Sequence, residues 1–181
     1  DASSLMADCE HEGYPGKSIA QLQARVNAGT LEQYNPNVVV VMVGSNDMWV
    51  SLDNRTAISN AQATAKVAEL KTLLKDINAK APGAAVIVAK PATPSNASSP
   101  LAIYHQGIDT IASENMFIEV VDFSGFSNDG VHYRPAGFEQ IATTITNKIV
   151  TGVNACIEAL GIIENTFTED EFDNLGSDDE L

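Results

Sequence analysis

Apolar positions recur along this chain with two periods, one helical and one that fills whole strands. Ile19, Leu22 and Val26 fall at helical spacing and predict a helix over residues 18–28. Asn35-Pro36-Asn37 breaks it. Val38 to Val43 is then an uninterrupted apolar run, mostly β-branched, as in a strand buried on both faces. Residues 56–80 predict a long helix with Ile58, Ala61, Ala65, Ala68, Leu70, Leu73, Leu74 and Ile77 as its apolar stripe, ended by Pro82-Gly83. Ala85 to Ala89 is a second strand, stopped by Pro91. Residues 91–100 are rich in Pro, Ser and Asn and predict a loop. Leu101 to Asn115 predicts a helix, and Phe117 to Asp122 a third strand. A loop over 123–134 leads to Pro135, a residue suited to the first turn of a helix. The last helix runs to about Leu160, with Phe138, Ile141, Ile145, Ile149 and Val153 on one face and Gly152 and Gly161 as interruptions. No internal repeat is visible. Strands alternating with helices imply an α/β fold, with a parallel sheet between helical layers.

The composition fits one globular domain: 181 residues, 44% apolar and 19% charged. No apolar run approaches the ~20 residues of a membrane helix. The opening residues form no signal peptide, and a start on Asp1 suits a mature or truncated product. The formal charge of -14 is unevenly placed. Eight acidic and no basic residues lie between Glu164 and Leu181, while the other sixteen acids face ten Lys and Arg. Residues 1–162 therefore read as the domain and 163–181 as an acidic, solvated tail. A net negative field speaks against nucleic acid as a partner, and no feature calls for a membrane. The terminal Asp178-Asp179-Glu180-Leu181 is similar to endoplasmic-reticulum retention signals, off pattern at its first two positions.

Cys9 and Cys156 suit either one disulfide or two unrelated buried thiols. Two sequons, Asn54-Arg55-Thr56 and Asn96-Ala97-Ser98, fall in predicted loops and favour an extracellular, glycosylated product. No cluster of Cys, His and acids has zinc spacing, so neither metal nor other cofactor is expected.

Two short runs carry the candidate chemistry. Gly44-Ser45-Asn46-Asp47 comes directly off the first strand, and in parallel sheets the carboxyl ends of strands face the ligand crevice. A strand-ending turn would use the same residue types. Asp129-Gly130-Val131-His132 places a carboxylate three residues before a histidine, within reach of the Nδ1 side of its ring. The context is Asp-Gly-Val-His-Tyr-Arg-Pro-Ala-Gly-Phe-Glu-Gln-Ile-Ala, over 129–142. These runs resemble the third and fifth sequence blocks of the SGNH (GDSL) hydrolases, a family that cleaves esters with a serine nucleophile. His11-Glu12-Gly13-Tyr14-Pro15-Gly16-Lys17-Ser18-Ile19 resembles its second block, in wording most like carbohydrate esterase family 3, the acetyl xylan esterases and related carbohydrate acetylesterases.

The resemblance covers about residues 9–160. It implies a three-layer α/β/α sandwich, His132 as catalytic base, Asp129 as its orienter, and Gly16 and Asn46 as oxyanion-hole donors. His11 and His105 receive no catalytic role. The substrate it implies is an acetylated polysaccharide or small ester. Trp49 either stacks on a sugar near the crevice or caps the sheet as a core residue. The family's first block, a strand followed by Gly-Asp-Ser, has no counterpart, since no Asp-Ser dipeptide occurs in the chain. Ser3, Ser4 and Ser45 are poor substitutes by position. The expectation is a chain lacking the first two strands of the sheet and the nucleophile, and so close to inactive. A truncated esterase, a glycan- or partner-binding pseudoenzyme, and an enzyme whose partner covers the open sheet edge and supplies the serine are the readings this leaves.

Overall fold

The computed structural model describes residues 16–51, 56–92, 97–115, 118–129 and 132–159. Their order is α1 (Ile19–Asn27), α2 (Thr30–Tyr34), β1 (Val38–Val41), β2 (Trp49–Ser51), β3 (Thr56–Ala57), α3 (Asn60–Lys80), β4 (Ala85–Lys90), α4 (Ser98–Ser113), β5 (Ile118–Asp122) and α5 (Pro135–Ala159). Two compact units divide after Ala142. The first holds every strand, α1 to α4 and the opening turns of α5. The second begins at Thr143 within α5 and carries Ile145 and Ile149 half-buried and Val150 exposed.

β1, β4 and β5 form a parallel sheet in that order, with Val41 beside Val88 and Lys90 beside Asp122. The helices α3 and α4 are its crossovers, as parallel pairing requires. One sheet face presents Val39, Val41, Val86, Val88, Ile118 and Val120 to a core completed by Ile19 and Val26 of α1, Leu70, Leu73, Leu74 and Ile77 of α3, and Leu101, Tyr104, Ile108 and Ile111 of α4. This is the parallel sheet flanked by helices that the periodicity predicts.

The differences have local causes. Val38 to Val43 is not buried on both faces: among the described residues β1 pairs with β4 alone, and Val40 and Met42 on its outer face are 41% and 47% exposed. The helix predicted from residue 56 starts at Asn60, because Ser59 closes a capping box with Gln62 and turns the preceding residues outward. Thr56 and Ala57 instead pair with β2 in a small antiparallel ribbon, which together with α2 carries no periodic signal in the sequence. The fourth helix begins at Ser98 rather than Leu101, since Pro100 falls in a first turn where its missing N–H is not needed. Phe138, placed on the apolar face of α5, is 57% exposed. Cys9, His11, both sequon asparagines and the acidic tail lie outside the described residues, as does the tail's boundary at 163.

Candidate active site

Strand ends bring the candidate residues to one edge of the sheet. Parallel register puts the carboxyl ends of β1, β4 and β5 together, so the turn after β1 and the loop after β5 leave on the same side. Two strand spacings, about 10 Å, separate them.

The turn after β1 is tightly fixed. Gly44 takes a left-handed φ of 109°, which favours glycine, and a Cβ there would lie 2.4 Å from the Tyr104 ring. The Tyr104 hydroxyl donates to the Val43 carbonyl at 3.1 Å. That phenol is fully buried, and burial together with the nearby Asp47 charge pushes its pKa well up. Asn46 then enters a 3-10 turn, Asn46–Met48. Its Nδ2 donates to the Lys17 carbonyl at 3.2 Å, so the carboxamide is oriented and one of its two N–H groups remains for a ligand. Gly16, a residue before Lys17, has a left-handed φ of 72° with open space where a Cβ would stand, so its backbone conformation alone calls for glycine. Asn46 and the Gly16 segment, expected to share one role, are thus brought together.

Asp47 closes the Gly44-Ser45-Asn46-Asp47 run, and the resemblance gives it no role. It is buried, its Oδ2 accepts the Ile19 N–H at 3.0 Å, and its Oδ1 lies 3.4 Å from Lys66 Nζ. Burial raises its pKa, against the Ile19 bond and the Lys66 charge. Lys66 Nζ also donates to Glu69 Oε1 and Oε2 at 2.9 and 2.8 Å. Burial works against its charge, but these carboxylates outweigh it and its pKa is raised.

The loop after β5 is held differently. The Asp129 N–H donates to the His132 carbonyl at 3.0 Å, and the His132 N–H donates to Asp129 Oδ1 at 2.8 Å. These bonds bring the two residues together in a closed turn. The other carboxylate oxygen stands 4.0 Å from His132 Nδ1, an ion-pair distance longer than a hydrogen bond. The His132 side chain is 82% exposed, so ring rotation about its own bonds can shorten that gap. Gly137, at the start of α5, is buried beneath this loop: a Cβ there would lie 2.1 Å from the Ser127 carbonyl. Tyr133, next to His132, accepts the Ala92 N–H at 2.7 Å and donates to the Phe123 carbonyl at 3.5 Å. It ties the histidine loop to the ends of both β4 and β5.

Trp49 opens β2 and packs half-buried against the core. His105 is half-buried on α4, and its Nε2–H donates to the Pro91 carbonyl at 3.0 Å. Burial lowers its pKa, against the pull of Asp122. No group of three or more His, Cys, Asp or Glu able to hold a metal occurs among the described residues. Lys66, Tyr104 and Tyr133 escape sequence reading, because each acts across 19 or more residues through a contact that no local pattern encodes.

Residues 2–140 match the model of the GDSL-like lipase/acylhydrolase family, and the chain belongs to that family. Solved structures agree on the fold. A family 3 carbohydrate esterase of Clostridium thermocellum is 24% identical with a TM-score of 0.64, over 83% of this chain and 75% of that one. An acetyl esterase variant crystallised with acetate gives 24% and 0.66, over 82% and 74%. A carbohydrate esterase family 3 member from Talaromyces cellulolyticus gives 24% and 0.63, over 80% and 72%. No curated protein matches the chain.

Proposed function

We propose that this chain is a serine ester hydrolase acting on carbohydrate O-acetyl groups, similar to the acetyl xylan esterases. The observation that carries the reading is the pairing, at one sheet edge, of an oriented carboxamide on a glycine segment with an Asp-x-x-His turn. Ester cleavage needs both: donors that wait for negative charge and a base steadied by a carboxylate. In this mechanism a seryl hydroxyl attacks the acetyl carbonyl while His132 Nε2 takes its proton. The free N–H of Asn46 and the Gly16 N–H receive the oxyanion. Asp129 holds the ring in one tautomer and stabilises the imidazolium. His132 then gives the proton to the sugar oxygen, which leaves as a hydroxyl; a water deprotonated by the same nitrogen attacks the acyl-serine, and acetate leaves as the seryl oxygen takes the proton back. The acetyl esterase of the same fold supports acetate as the acyl group, and the two family 3 carbohydrate esterases support a carbohydrate as its carrier. No Gly-Asp-Ser occurs in the 181 residues, so the nucleophile is not assigned and slow turnover is expected of the chain by itself. The sequons Asn54-Arg55-Thr56 and Asn96-Ala97-Ser98 support an extracellular setting.

Hydrolysis of p-nitrophenyl acetate by the 181-residue chain, beside a His132→Ala control, tests this. A rate above the control, saturable and inhibited by acetylated xylan oligosaccharides, is the supporting result, and its loss in the variant should be about a hundredfold or more where a nucleophile is present. Equal rates would mean that no serine within these 181 residues serves as nucleophile, and would sink the reading for the chain by itself.

A further inference from the structure

Asp47 is the one buried charged residue among the described residues, its side chain 2% exposed. Burying a carboxylate costs several kcal/mol unless it is well paired, so the charge needs a reason. The start of α1 does not supply it. Ser18 and Gln21 already close a capping box there. The Ile19 N–H does need an acceptor, but an asparagine oxygen would serve without any charge. What a carboxylate adds is Lys66, reaching from α3 to within 3.4 Å and itself steadied by Glu69.

The bonds of two neighbouring residues make a clamp. Asn46 holds the Lys17 carbonyl and Asp47 holds the Ile19 N–H, so the turn after β1 grips the segment carrying Gly16 at two points. A bare carboxylate next to Asn46 would oppose negative charge developing at that turn. The Lys66 ammonium offsets it. Besides Lys66 and Glu69 on α3, the groups facing Asp47 are the Tyr104 phenol on α4 and the Ile19 amide on α1.

We infer that Asp47 and Lys66 form a positioning pair for the oxyanion donors, the carboxylate fixing the Gly16 segment against Asn46 and the ammonium cancelling its charge there. This rests on the acyl-hydrolase reading above. Neither residue touches substrate, and the pair acts through Gly16 and Asn46.

The test compares Asp47→Asn, Asp47→Ala, Lys66→Met and the double variant Asp47→Asn/Lys66→Met in the full 181-residue chain. The readouts are p-nitrophenyl acetate kinetics from pH 5 to 9, melting temperature, and the NMR signals of the Gly16 amide and the Asn46 carboxamide. Asp47→Ala should lower kcat by about tenfold to a hundredfold with KM within about twofold, as misplaced donors do. In Lys66→Met the acid limb of the kcat profile should move to higher pH, because Asp47 loses its counter-charge and holds its proton longer. The double variant should return the acid limb toward its original position and recover most of the rate lost in Lys66→Met, since the charge then left without its partner, Glu69, is 40% exposed and not buried. Rates and pH profiles equal to those of the unsubstituted chain would overturn the pair, as would a double variant no better than Lys66→Met. If the unsubstituted chain is no faster than His132→Ala, the hydrolase reading fails and the NMR signals decide alone. Movement of both signals in Asp47→Ala and Lys66→Met, with the core signals of Leu73 and Val88 unmoved, supports the clamp. Signals at their original positions refute it.

Discussion

The two halves of the candidate site are built to different tolerances. On the β1 side each group is held by a packed or bonded neighbour: Gly44 by the ring of Tyr104, Asn46 by Lys17, Asp47 by Ile19 and Lys66. On the β5 side Asp129 and His132 are tied to each other through their backbone, yet the His132 side chain is 82% exposed, with its Nδ1 4.0 Å from the Asp129 carboxylate. The difference suits the work proposed for each half. Oxyanion donors help only if they are in place before charge develops, because reorganising them in the transition state would consume the gain. A base has to swing between a nucleophile and a leaving group, so one loose side chain on a fixed turn suits it.

Substitutions can break or sharpen that comparison. The largest effect is expected from Gly44→Ala. A Cβ 2.4 Å from the fully buried Tyr104 ring, at a left-handed φ, is relieved only by displacing that ring or the backbone, and the cost should be about 3 kcal/mol or more in thermal unfolding. Gly137→Ala collides with the Ser127 carbonyl, a backbone atom that yields only if its half-buried loop moves with it. It should cost about 2–3 kcal/mol while slowing any His132-dependent hydrolysis. Equal melting-temperature losses for the two glycines would erase the contrast between rigid and adjustable halves. Tyr104→Phe removes the hydroxyl that donates to Val43, leaves the ring under Gly44, and should cost about 1–2 kcal/mol by urea denaturation, since a buried carbonyl loses its partner.

The smallest effect concerns pH. Burial lowers the His105 pKa in the folded chain below its ordinary value near 6.5, so the unfolded chain binds the proton more readily. Its contribution to stability is therefore present above about pH 6.5 and is lost as pH falls toward the folded pKa. His105→Gln should flatten that part of the stability–pH curve by less than about 1 kcal/mol, measured by urea denaturation at pH 5 and 7.5.

Much of this was legible before any coordinates. The helical spacing of Leu70, Leu73, Leu74 and Ile77 reports the buried face of α3 directly, and the β-branched run at Val38 reports a strand, because period is a local property of the chain. Asn46, Gly16, Asp129 and His132 were found as words in short motifs, and motifs record residue types that a reaction needs. The support beneath them was not legible. Nothing near Lys66 in sequence says that its ammonium meets Asp47, and nothing near Tyr104 says that its ring forbids a side chain at Gly44, since both contacts depend on how α3 and α4 cross the sheet. The exposure of Val40 is not legible for a related reason: a strand's own residues do not tell how many neighbours it has.

Trp49 is the single tryptophan of the chain, and it stands two residues beyond Asp47, half in the core. The indole emission of this protein therefore comes from one place, the end of the turn that orients Asn46. Its wavelength, quenching by iodide and anisotropy are a built-in optical gauge of that turn, readable in microlitre volumes without label or substrate.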